Sequence, residues 1–113
     1  MLAKRQQSVS AQIKREMSLM VKEVLPEELG IVSITDIEIT SDFKEAKVFV
    51  SVFDTENEKK VLSILESKIS FFQRVLGKKL SLKFTPKIKF TLDKYKEKLE
   101  RVDKLLEEIK DGS

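Results

Sequence analysis

Apolar residues along this chain follow two spacings, and each change of spacing marks an element. Val9, Ile13, Met17, Met20, Val21 and Val24 recur every three or four positions, a single stripe that predicts an amphipathic helix. Pro26 pushes Leu25 toward extended backbone, so the helix ends there and Glu27 to Gly30 makes a short loop. Ile31 to Ile39 is rich in β-branched residues and reads as a strand. Its apolar positions change parity between Ile34 and Ile37, which a bulge near Thr35-Asp36 reconciles. After a polar turn over Thr40 to Glu45, a second strand runs from Ala46 to Phe53 with Ala46, Val48, Val50 and Val52 on one face. The short connection predicts an antiparallel hairpin.

Helical spacing returns after Thr55, which with Glu58 fits a capping box, Thr55 at the N-cap and Glu58 three positions on. Val61, Leu62, Ile64 and Leu65 point inward, and the period continues through Phe72, Val75, Leu76 and Leu80. A straight helix of that length would run about 37 Å, too long for a domain of this size, so a break is expected between Ser67 and Phe71. Lys87 to Leu92 alternates, with Ile88, Phe90 and Leu92 inward and Lys87, Lys89 and Thr91 outward. Beyond it Tyr95, Leu99, Val102, Leu105, Leu106 and Ile109 form one more helical stripe. The order is α-β-β-α-kink-α-β with a C-terminal helix. It predicts an α+β fold in two layers, a three-stranded mixed sheet packed on helices. Strands two and three should run parallel through a right-handed crossover, with strand two at the centre.

Charge adds what hydropathy cannot. The net charge of the 113 residues is only +3, yet its distribution is bipolar. Residues 23–66 hold eleven acidic and four basic groups, whereas 67–92 hold seven basic groups and no acid. Those seven are Lys68, Arg74, Lys78, Lys79, Lys83, Lys87 and Lys89. Such a block is a candidate surface for phosphates, with a merely solvated face as the plainer reading. The first helix adds Arg5, Lys14 and Arg15, which either extend that surface or only keep the helix soluble. Phe71, Phe72, Phe84 and Phe90 are interleaved with the bases. Their spacing assigns Phe72 and Phe90 to the core and leaves Phe84 open as a stacking platform.

Absences narrow the chemistry. With no His and no Cys, the common zinc sites, thiol nucleophiles and the Ser-His-Asp triad are excluded. Three glycines cannot write a P-loop or a dinucleotide fingerprint. Asp36, Glu38 and Asp42 admit a cation site, but strand alternation and a turn explain them adequately. Carboxylate-only catalysis and magnesium binding stay open, but ordinary solvated carboxylates explain these residues better, and the chain reads as a non-enzyme without cofactors. No apolar run reaches the ~20 residues of a membrane helix, and no signal peptide or disulfide framework is visible, so the cytoplasm is expected.

Ile34-Thr35-Asp36-Ile37-Glu38-Ile39-Thr40-Ser41-Asp42-Phe43 followed by Ala46-Lys47-Val48-Phe49-Val50-Ser51-Val52 resembles a paired-strand pattern of bacterial ribosome-binding factor A. Phe71 to Leu82, Pro86 to Phe90 with Asp93, and Arg101 to Leu106 are similar to further blocks of that family in the same order. The resemblance implies a type II K-homology (KH) fold in which a helix–kink–helix replaces the flexible Gly-x-x-Gly loop. It implies residues 1–92 as a KH-like RNA-binding domain and 93–113 as a C-terminal amphipathic helix or tail. It also implies a monomeric factor that binds the small ribosomal subunit and its rRNA late in maturation, often linked to growth in the cold. Ribosomal proteins and an assembly GTPase are further partners it admits. Three departures stand out. The kink, usually Ala-x-Gly, is Lys68-Ile69-Ser70 here, and Ser70 can bend a helix through backbone bonds, though less freely than Gly. Ser41 replaces a turn proline, and Tyr95 and Leu99 replace a Ser and a Gly. A rival reading is a protein–protein interaction module that uses the C-terminal helix, its basic face incidental.

Overall fold

The computed structural model describes residues 4–80 and 82–94. Helix α1 spans Lys4–Val24, and a single 3-10 turn at Glu27–Leu29 leads into strand β1, Val32–Ile39. Strand β2 is Glu45–Val52; a second 3-10 turn at Thr55–Asn57 precedes α2, Glu58–Ser67. Helix α3, Ile69–Lys79, and strand β3, Lys87–Leu92, complete the order. The expected helix beyond Tyr95 lies outside the described residues.

Antiparallel β1 and β2 pair from Val32 opposite Val52 to Ile39 opposite Ala46, and β2 runs parallel to β3, Ala46 beside Ile88 and Val50 beside Leu92. The sheet order β1-β2-β3 puts the Val-rich strand at the centre, as expected. The register slips between Ile34 and Asp36, so Thr35 is the extra residue of a bulge. That slip is why Ile34, Ile37 and Ile39 are all buried although their spacing is odd.

One sheet face and the three helices share a single core. Ile13 and Met17 of α1, Val48, Val50 and Val52 of β2, Val61 and Leu65 of α2, and Phe72 and Leu76 of α3 are fully buried. Phe72 meets Phe90 of β3 edge-on, ring centroids 5.7 Å apart. The other sheet face carries Glu38, Lys47 and Lys89 in one row and Glu45 beside Lys87 in the next.

The helix break falls where chain length demanded it. Lys68, at φ −106° and ψ 9°, separates α2 from α3, and its N–H donates to the Leu65 carbonyl at 3.0 Å. The hydroxyl bond at this corner comes from Ser67, which donates to the Ile64 carbonyl at 2.6 Å, and not from Ser70. The expected capping box does not form. Thr55 to Asn57 tightens into a 3-10 turn, Asn57 takes the N-cap place, and its side-chain amide donates to the Leu29 carbonyl at 3.2 Å. The Glu58 carboxylate pairs with Lys94 instead. Partners from distant parts of the chain displaced the local exchange.

Gly30 closes the first 3-10 turn at φ +82° and ψ −159°, backbone that only glycine adopts without strain, and a Cβ there would meet the Asp54 carboxylate.

Candidate nucleic-acid interface

Burial of Phe72 and Leu76 fixes the rotation of α3 about its axis. Arg74 and Lys78, four residues apart, consequently stand one turn apart on the side away from the sheet, both exposed. Lys68, also exposed, sits at the break ahead of them. Among the described residues no carboxylate lies within 4.0 Å of Lys68, Arg74 or Lys78, since the ion pairs there are Lys79–Glu16 and Lys94–Glu58. Like charges held together without counter-charges make a region of positive potential suited to phosphate oxygens.

The rest of the basic block is distributed by the fold. Lys79 is turned toward α1, its ammonium 3.7 Å from the Glu16 carboxylate, so it has the compensating acid that its own stretch of sequence lacks. Lys14 precedes Glu16 by two residues, about 200° around α1, and so lies on the flank away from α3. Arg15 is exposed between them. Lys87 and Lys89 are exposed on the outer face of the sheet, the opposite layer from α3. There Lys87 is opposite Glu45, and Lys89 continues the row of Glu38 and Lys47. The seven bases that follow one another in sequence without an intervening acid are thus divided, six of them between the helix layer and the outer sheet face.

Lys83 and Arg5 belong to a third place. The start of α1, the β1–β2 turn and the α3–β3 loop enclose a groove of ≈ 310 Å³ lined by Arg5, Asp42, Phe43, Lys44, Leu82, Lys83 and Phe84. The Arg5 guanidinium lies 5.4 Å from the Phe43 ring centroid, and the Lys83 ammonium 5.6 Å from that of Phe84. Lys44 is a cation that sequence reasoning passed over, because it falls in the acidic third of the chain. The pairing of β3 on β2, which begins with the bond from the Lys87 N–H to the Lys44 carbonyl at 2.8 Å, brings it to the end of the α3–β3 loop.

Of the three acidic residues considered for a cation site, Asp36 and Asp42 are bonded within their own segments, and Glu38 stands opposite Lys47 across the strands. Asp36 accepts from the Ile37 N–H at 2.8 Å. Asp42 accepts from the Thr40 hydroxyl at 2.6 Å and the Lys44 N–H at 3.0 Å, bonds that hold its carboxyl below the usual carboxylate range. Among the described residues no three His, Cys, Asp or Glu side chains gather as metal ligands, and no helix is long and apolar enough to cross a membrane.

Residues 5–106 match the family described as Ribosome-binding factor A. A ribosome-binding factor A of Halothermothrix orenii is 34% identical over 101 residues, covering 88% of this chain and 83% of the relative. The crystal structure of ribosome-binding factor A from Thermus thermophilus superposes with a TM-score of 0.69, covering 77% of this chain and 94% of that one. At 17% identity that likeness establishes the fold. A homology model of the Thermus thermophilus factor, fitted into a cryo-EM map of a 30S complex with that factor, superposes with a TM-score of 0.61 at 18% identity, covering 73% of this chain and 88% of that one.

Proposed function

We propose a function from one premise: the chain belongs to the ribosome-binding factor A family. It is an assembly factor that binds the small ribosomal subunit through its RNA late in maturation, in the cytoplasm, and it does so without catalysis. Residues 1–92 are the RNA-binding unit and 93–113 an amphipathic appendage. The fit of the Thermus thermophilus relative into a 30S complex supports this reading. The observation that carries it is the exposed face of α3, where Arg74 and Lys78 stand one turn apart, with Lys68 at the helix break ahead of them and no described carboxylate within 4.0 Å of the three. Phosphates need charge at roughly the right spacing and little geometric detail, which lysines on a rigid helix supply. Phe72 and Leu76 supply the rigidity. The mechanism is electrostatic and steric: the factor holds an immature RNA conformation and then leaves.

Sedimentation of the purified protein with small subunits tests this. Binding that falls steeply and linearly in log affinity against log salt is expected. Indifference to subunits and to rRNA, with capture of a protein partner through residues 93–113, would replace this reading with the interaction-module one.

A further inference from the structure

We infer that the groove between the start of α1, the β1–β2 turn and the α3–β3 loop takes one unpaired nucleotide, its base stacked on Phe84 and its phosphates met by Arg5, Lys44 and Lys83. The inference rests on the RNA-binding reading above and adds to it a second contact, at the far end of α3 from the helix break.

Phe84 is 70% exposed although both its flanks are tied down. Leu82 packs against the core, Pro86 is fully buried, and the Lys87 N–H is bonded to Lys44. Thr85 is pressed so closely on α3 that a Cβ at Gly77 would stand 2.7 Å from its Oγ1. The loop is therefore held in place, and it holds the ring outward. An isolated exposed aromatic needs no explanation. This one shares a groove with three cations, Arg5, Lys44 and Lys83, against the single carboxylate of Asp42, which the Thr40 hydroxyl and the Lys44 N–H engage. The groove is at the lower end of the ~300–1,000 Å³ typical of small-ligand sites, a size for one nucleotide.

The backbone beneath is strained as well. Phe43 occupies the left-handed region at φ +61°, a conformation that a bulky side chain adopts only when its surroundings impose it. Its N–H donates to the Thr40 carbonyl at 2.9 Å and its ring lies under Arg5, so the strain keeps Arg5 and Lys44 on the same groove. A flat π-face ringed by cations fits an unpaired base better than a duplex, whose base faces are hidden by stacking.

The test uses the full chain and an unstructured RNA of about ten nucleotides containing 2-aminopurine, whose fluorescence is quenched on stacking. Phe84→Ala and Phe84→Leu should each weaken binding about tenfold and abolish the quench, whereas Phe84→Trp should retain both. The ring is exposed, so all three variants should melt like the parent. Phe84→Ala should leave the salt dependence unchanged, while Lys44→Ala and Lys83→Ala should each flatten it by about 0.7. Binding by Phe84→Ala equal to the parent's overturns the inference. Phe84→Leu matching the parent while Phe84→Ala does not also overturns it, because that pattern belongs to apolar contact and not to stacking of a base on an aromatic ring. In either case a parent that still sediments with small subunits loses the groove alone. A parent that binds neither subunits nor the oligonucleotide loses the RNA reading as well.

Discussion

The division of the basic block between two layers makes a prediction about which face meets RNA. The helix-face variant replaces Lys68, Arg74 and Lys78 with Ala, and the sheet-face variant replaces Lys87 and Lys89. All five are exposed, so neither set should shift stability by more than about 0.5 kcal/mol per residue. Each phosphate contact contributes about 0.7 to 0.9 to the slope of log affinity against log salt. Across a fourfold rise in salt, from about 50 to 200 mM, one contact therefore accounts for about a threefold loss of affinity. Three lost contacts should flatten the slope by about 2 to 3 and remove roughly 30-fold of the salt-driven loss. The sheet-face pair should change the slope less, because Glu45 stands beside Lys87 and Glu38 beside Lys47 in the row of Lys89, so that face sets two acids among its three bases. Filter binding of rRNA, or subunit sedimentation, over a salt series reads both slopes. Equal flattening by the two variants, or more by the sheet-face pair, would refute a binding surface confined to the helix layer.

Other consequences concern the frame that holds these groups. Gly30→Ala places a Cβ in a glycine-only conformation and against Asp54, so denaturant unfolding should show a loss of about 2 to 4 kcal/mol. Gly77→Ala gains about 1 kcal/mol of helix propensity but meets Thr85; a net loss is expected, with Thr85→Ala in the same chain restoring stability. Phe72→Ala empties the contact with Phe90 and should cost about 3 to 5 kcal/mol, a large share of a small domain's stability. Asp42 is held below its usual 3.8 by the Thr40 hydroxyl first and the Lys44 N–H second. A depressed carboxyl stabilises the folded turn above the unfolded pKa and loses that effect as pH falls through the folded one. An NMR titration of the Asp42 carboxyl should accordingly give a midpoint below 3.8, and one at or above it would contradict the turn geometry.

Elements set by neighbours in sequence were legible from sequence. The three-and-four spacing of α1, the alternation of β3 and the parity change at Thr35 are each the trace of one surface meeting one core. Helix length required a break, expected between Ser67 and Phe71, and it falls at Lys68. Charge behaves differently, because no periodicity ties it to a partner. The run from Lys68 to Lys89 has no acid within it, yet the rotation of α3 delivers Lys79 to Glu16, 63 residues earlier. Strand alternation sends Lys87 and Lys89 to the opposite layer. The capping box at Thr55 failed for the same reason, since Asn57 found Leu29 and Glu58 found Lys94 across the fold. The groove of Arg5, Lys44, Lys83 and Phe84 draws on three segments that only the parallel docking of β3 on β2 brings to one end of the sheet. The periodic apolar pattern determined which residues are inside. Which exposed charges and rings face one another was decided by packing, because solvated side chains leave no spacing rule in the chain.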